Sequence, residues 1–265
     1  MNFHDPVILG RTGLKVGRLG ISSSYGAPAE AFAEAFERGC NYFTYGTFIR
    51  GGSPEMRNAV KNIVSKGQRD KLVIAVFSYA YLPILTKRFF PGDLKKLGID
   101  YADILVLGNY RSLPGKRMLE MANQLKEKGL VRFIGLSGHK RKLFPVLAEK
   151  KLVDVFHVRY NAVNRGAEKD VFPFVVGEDR PGIVSFTATR WGKLIHPKNL
   201  PEGKKAPSAT DAYRFVLSNP SVDICMVGTN SLQQMREDLK VLDLGPLSQN
   251  EMNEIKSIGE YLYNH

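Results

Sequence analysis

The stretch Lys128-Gly-Leu-Val-Arg-Phe-Ile-Gly-Leu-Ser-Gly-His139 constrains the fold more than any other part of the chain. A segment with Met118, Met121, Ala122 and Leu125 at helical spacing runs into Gly129. Glycine is the usual helix stop, because it turns left-handed without a Cβ clash. An apolar run from Val131 to Leu136 follows at once and opens into Ser137-Gly138-His139, expected to be a polar hinge loop. Helix, stop, strand and polar loop form the joint between two units of a repeating β/α chain.

The same grammar recurs on both sides. Val7 to Val16 reads as a hairpin, and Arg18 to Ser22 as a first buried strand. Further strands are expected over Asn41–Tyr45, Leu72–Phe77, Asp103–Leu107, Val153–Val158, Gly182–Thr187 and Val222–Val227. Helices are expected over Ala29–Arg38, from Ser53-Pro54-Glu55 onward, over Lys116–Lys128, around Leu143 to Leu147, and over Thr210–Leu217 and Ser231–Leu242. Pro83–Leu97 reads as a helix interrupted at Pro91-Gly92, and Glu168–Val176 as a helix that Pro173 weakens. His196–Pro207 reads as a surface loop. Ser248-Gln-Asn-Glu251 is a capping box that opens a last amphipathic helix.

Eight short strands alternating with helices, no linker-like composition and 265 residues predict one (β/α)8 TIM barrel over residues 1–265. It carries an N-terminal β-hairpin and an extra C-terminal helix. A doubly wound sheet is the alternative, but no Gly-x-Gly-x-x-Gly follows the first strand.

Lys and Arg total 38 against 26 Asp and Glu, a net charge of +12 that favours anionic partners. The basic residues fall in pairs, with one triplet at Lys140 to Lys142 that reads as a charged helix face. Without a long basic run or an aromatic–basic repeat, nucleic acid is not expected. Cys40 and Cys225 read as buried free thiols, and a soluble, cytoplasmic protein is expected, with no membrane span.

Barrel chemistry sits where strands end. The expected exits, among them Thr44-Tyr45, Phe77-Ser78-Tyr79, Tyr110-Arg111, Ser137-Gly138-His139 and Arg159-Tyr160-Asn161, carry hydroxyls, aromatics and Arg, but no Asp, Glu or Lys and one His. That leaves no metal-ligand cluster and no carboxylate pair for glycoside hydrolysis. Such a rim suits an anionic, planar ligand. Gly228-Thr-Asn-Ser231 leads a strand end into a helix start, where free N–H groups would hold a phosphate; an ordinary Ser N-cap explains the same residues.

Five stretches, in order, resemble the aldo/keto reductase family along essentially the whole chain: Leu9–Val16, Gly39–Phe43, Leu97–Asp103, Gly129–Ser137 and Val227–Leu239. The resemblance implies a TIM barrel that binds NADP(H), or less often NAD(H), across its C-terminal rim and reduces small-molecule carbonyls by hydride transfer. In that family a Tyr donates the proton, a Lys lowers its pKa, an Asp pairs with the Lys and a His orients the oxygen. Carried over, these positions are Thr44 for the Asp, Ile49 for the Tyr, Phe77 for the Lys and Gly108 for the His, and Glu55 keeps the motif in register. All four differ. Losing Lys alone would strand a buried Asp at a cost of roughly 3–5 kcal/mol, whereas replacing both can be neutral.

On the cofactor side, the resemblance matches Ser137 to the serine that holds the nicotinamide amide, His157 to the family's strand-six Gln and Phe186 to the aromatic that stacks on the nicotinamide. It assigns Thr187, Thr189 and Arg190 to the following polar loop, and Gly228, Thr229, Asn230, Gln234 and Asp238 to the phosphate and adenine segment. Asp238 stands where the family usually has Asn. Tyr45 and His139 are the candidate substitute acids, with plainer readings as a packed rim aromatic and a helix-start His bonded to backbone. Tyr110 with Arg111 is a candidate carboxylate site, and Trp191 a candidate lid. Three functions are open on these residues: a reductase with nonstandard acid groups, a catalytically silent nucleotide-binding sensor with a protein partner, or an interaction module without cofactor.

Overall fold

The computed structural model describes residues 2–47 and 51–265. A short antiparallel hairpin, β1 (Val7–Ile8) and β2 (Lys15–Val16), precedes a closed parallel barrel. The barrel strands are β3 (Leu19–Ser22), β4 (Tyr42–Gly46), β5 (Val73–Ser78), β6 (Ala102–Tyr110), β7 (Val131–Gly138), β8 (Val155–Arg159), β9 (Gly182–Phe186) and β10 (Ile224–Val227). They pair in sequence order, and β10 closes onto β3. The doubly wound alternative is thereby excluded.

The connecting helices are α1 (Ala29–Glu37), α2 (Pro54–Ser65), α3 (Pro83–Leu97), α4 (Lys116–Glu127), α5 (Leu143–Glu149), α6 (Ala167–Asp170), α7 (Ala209–Leu217), α8 (Leu232–Leu239), α9 (Val241–Leu244) and α10 (Gln249–Asn264). Ser53 caps α2, with Pro54 in its first turn, and Ser248 with Glu251 forms the capping box of α10, as the sequence predicts. Cys40 and Cys225 are buried free thiols. No helix among the described residues is long and apolar enough to cross a membrane.

Side chains alternate along each strand, so two apolar layers form. Tyr42, Val73, Ala75, Ile104, Val106, Val155, Val184, Ile224 and Met226 fill the lumen, with Leu9, Leu14 and Val16 of the hairpin segment packed into the same cluster. The opposite parity, including Phe43, Tyr45, Ile74, Leu105, Leu136 and Phe156, joins the helices in the outer core.

Four local expectations need correction. The helix α3 runs uninterrupted through Pro91-Gly92. Pro91 and Gly92 are both exposed, so water can satisfy the carbonyl that a proline leaves open. Glu168–Val176 is a short α6 followed by a 3-10 turn over Phe172–Phe174, since Pro173 lacks the N–H that would continue the helix. Ser231–Leu242 divides at Lys240 into α8 and α9. The strand β7 extends through Gly138, so Ser137 and Gly138 belong to a paired strand and only His139 begins the loop.

Candidate active site

The C-terminal strand ends form the mouth. Thr44 lies buried there, its Oγ1 3.5 Å from the Ile21 carbonyl. Phe77 packs on the lumen cluster. Its ring lies 5.0 Å from His157, edge on, and stacks at 5.7 Å on Tyr79. A Cβ on Gly108 would sit 2.7 Å from that Tyr79 ring. Only glycine lets the strand and the ring approach so closely. An aromatic stack thus fills the space beside Phe77 and Gly108. In the sequence Tyr79 reads only as a strand-exit residue; the pairing of a small residue at 108 with a ring at 79 was the available signal. Ile49 lies outside the described residues.

Below the mouth, Tyr42 Oη and His157 Nε2 are 2.8 Å apart. Burial alone drives the His157 pKa down to about 3, so the ring is neutral at ordinary pH. It also raises the Tyr42 hydroxyl well above its usual range, with Asp103 adding to the shift. His157 therefore sits inside the barrel on a tyrosine, beneath Phe77. Tyr45 has the opposite parity to Tyr42 and Thr44; it lies in the outer core, and its hydroxyl accepts a 3.3 Å bond from Arg57. Strand alternation directs it away from the lumen.

On the other side of the mouth, Phe186 and Ser137 are half-buried. The exposed His139 ring meets Phe186 edge on at 5.5 Å. The loop after β9 is conformationally unusual: Thr187, Arg190 and Trp191 all have positive φ, at 62°, 52° and 54°. For a β-branched residue such as Thr this is a strained state that its surroundings must enforce. The buried Asn161 does so by donating Nδ2–H to the Thr187 carbonyl at 2.7 Å, while its Oδ1 accepts from the Val163 and Asn164 N–H groups. Thr187 Oγ1 bonds the Phe186 carbonyl. Thr189 Oγ1 accepts from Gly192. Arg190 Nη1 donates to the Leu262 carbonyl of α10 at 2.7 Å. Trp191 is exposed.

At the head of α8, Ser231 caps the Gln234 N–H, and Gln234 Oε1 accepts from the Asn230 N–H at 3.1 Å. Thr229 is 1% exposed, and its Oγ1 has no partner among the described residues. A buried hydroxyl left open costs free energy unless something satisfies it. Gly228 lies against the Tyr25 ring, whose own face is half exposed. Asp238 points inward instead of outward: it is 2% exposed and accepts a 3.4 Å bond from Tyr213 Oη. Burial raises its pKa to about 7. It also lies in the last turn of α8, where the helix dipole disfavours a negative charge.

The structure therefore brings Ser137, Phe186, His139, Thr187, Thr189, Arg190 and the 228–234 segment to the strand ends or the loops that follow them. It directs Tyr45 outward, His157 downward and Asp238 into the helix layer.

No protein-family model matches the chain. L-galactose dehydrogenase of Arabidopsis thaliana is 24% identical, over 97% of this chain and 94% of its own length. Among solved structures, an aldo-keto reductase of Bacillus halodurans in its holo form superposes with a TM-score of 0.79 at 19% identity, covering 96% of each chain. An aldo/keto reductase of Klebsiella pneumoniae in complex with NADP and acetate does so with a TM-score of 0.79 at 17% identity, covering 97% of this chain and 95% of its own. In fold, the chain is similar to these aldo-keto reductases along nearly its whole length.

Proposed function

We propose that the protein is an aldo-keto reductase-like oxidoreductase that binds NADP(H) across the C-terminal ends of its barrel strands. Thr229 carries this reading: a buried hydroxyl beside the first turn of α8 that no described residue satisfies. The first N–H groups of a helix have no intrahelical acceptor and favour a phosphate. The Klebsiella pneumoniae relative, solved in complex with NADP, supports a dinucleotide of this kind. In this reading Phe186 packs against the nicotinamide, Ser137 bonds its amide, and Thr229 with the head of α8 holds phosphate. The dinucleotide would supply the hydride chemistry. The high positive charge favours NADP(H) over NAD(H). Buried free thiols fit a reducing compartment, which supports a cytoplasmic setting.

A second reading, a catalytically silent nucleotide sensor that works through a protein partner, rests on the mouth itself. Thr44, Phe77 and Gly108, the positions that the resemblance gives to the Asp, Lys and His, carry no ionisable group, and the Phe77–Tyr79 stack fills the space beside Gly108. A small-molecule carbonyl reduced here would need its proton from water or another donor. Titrating NADPH and NADH by fluorescence tests the first point: quenching or a blue shift supports binding, and its absence for both removes either cofactor reading. Following a carbonyl panel at the NADPH absorbance band then separates the two. Saturable turnover supports the reductase; background oxidation across the panel supports the sensor.

A further inference from the structure

Three neighbouring strands deliver three basic side chains to one level of the mouth. Tyr110 of β6 pairs with Gly138 of β7, and Gly138 pairs with Val158 of β8. The next residue on each strand is Arg111, His139 and Arg159. Arg159 shares the inward parity of His157, and His139 that of Ser137. Arg111 reaches the same side through an irregularity. Register shifts between Leu107 and Tyr110, and Asn109 has φ 61°. A bulge changes the parity of the residues after it, so Tyr110 turns into the outer core and Arg111 inward.

Among the described residues, neither Arg111, His139 nor Arg159 makes an ion pair or a side-chain hydrogen bond. The two nearby cations are already engaged, Arg141 with Asp170 at 2.7 Å and Arg190 with the Leu262 carbonyl. After burial, Arg141 and Arg190 push the Arg159 guanidinium below its ordinary value. Burial, Arg159 and Arg111 do the same to His139. The half-buried Arg159 is thus held among like charges, paired in register with the half-buried Phe186, with no counter-charge from the described residues. A guanidinium so placed matches a carboxylate or phosphate in fork geometry.

We propose that Arg111, His139 and Arg159 form an anion-recognition site on the substrate side of the mouth, selecting a small carbonyl compound that carries a carboxylate or phosphate group. This deepens the proposed function and rests on its placing of the small-molecule site at the mouth. The site lies on β6 to β8, where only Ser137 is assigned to the dinucleotide; its other assigned contacts lie on the β9–β10 segments.

Isothermal titration of the full chain, with and without saturating NADPH, tests it with two matched pairs: 4-carboxybenzaldehyde against its methyl ester, and glyceraldehyde 3-phosphate against glyceraldehyde. At least one anion is expected to bind about tenfold or more tightly than its uncharged partner, and the discriminating pair identifies carboxylate or phosphate. Arg159→Gln should remove that discrimination while the NADPH Kd changes less than about twofold. Equal affinity within both pairs overturns the proposal even if NADPH binds. Anion discrimination without NADPH binding supports the site and overturns the dinucleotide reading instead. A folded Arg159→Gln protein that loses NADPH and anion binding in parallel also overturns the proposal, because the row would then serve the cofactor. If Arg159→Gln melts early, Arg111→Gln, at an exposed side chain, decides by the same readout.

Discussion

The two ends of the barrel treat charge in opposite ways. At the N-terminal end three carboxylates each have a cation and a backbone donor. Asp103 accepts from the Ile74 N–H and pairs with Arg69 and Arg132. Asp154 accepts from Ile134 and meets Arg11. Asp223 accepts from Ile183 and pairs with Arg180. At the C-terminal end, Arg111, His139 and Arg159 stand without an anion among the described residues. A charge sealed in the fold must find its partner in the chain, because solvent no longer reaches it. A charge at an open mouth can keep its partner for a ligand. The two ends are thus told apart by how their charges are paired.

The largest test of this contrast is at the paired end. Asp103→Ala leaves two arginines and the Ile74 N–H unmatched, and should cost about 3–5 kcal/mol in urea unfolding. Ligand affinity of the folded fraction should stay unchanged; a loss of affinity would show that the two ends are not independent.

The next effect lies between the ends, at His157. Its folded pKa of about 3 is below the ordinary 6.5, so the unfolded chain binds more protons between those values. Stability should be full above pH 6.5 and fall toward pH 3. His157→Gln should abolish that slope in unfolding curves taken across this range.

Asp238 runs the other way. Its carboxyl is raised to about 7 from 3.8, so the native state holds the extra proton and stability is lost as pH rises from 4 to 7. Asp238→Asn should gain about 1–2 kcal/mol at pH 8 and almost nothing at pH 4. An equal gain at both pH values would mean that the carboxyl does not titrate there.

The smallest effect belongs to Thr229. Thr229→Val should alter stability by less than about 0.5 kcal/mol, since its hydroxyl bonds no described residue of the fold, yet weaken NADPH about three- to tenfold in a fluorescence titration. A stability loss with affinity intact would turn Thr229 into a packing residue and remove the chief support for the dinucleotide.

Local periodicity and caps made the fold readable. Gly129, Ser53, Ser248 and eight apolar runs each act within a few residues. The paired Asp–Arg ring was not readable, because each carboxylate finds partners on other strands. The site was readable in position and poorly in direction. Tyr45 and Thr44 are sequence neighbours with opposite faces. Asp238 follows Met235 on the buried side of α8, a spacing that already pointed it inward. Arg159 reads only as a strand-exit residue because its importance depends on sharing a face with His157, and Arg111 reads as a candidate carboxylate ligand whose direction is hidden, because the irregularity at Asn109 has no clear mark in the residue types.

The bond from Arg190 to Leu262 joins the strained loop after β9 to the end of α10. One guanidinium cannot give the same N–H groups fully to that carbonyl and to a ligand. Any anion that draws Arg190 inward must loosen the final helical turn, and whatever clamps that turn must weaken the anion by the same factor. The end of α10 and the barrel mouth would then read each other's occupancy through a single side chain.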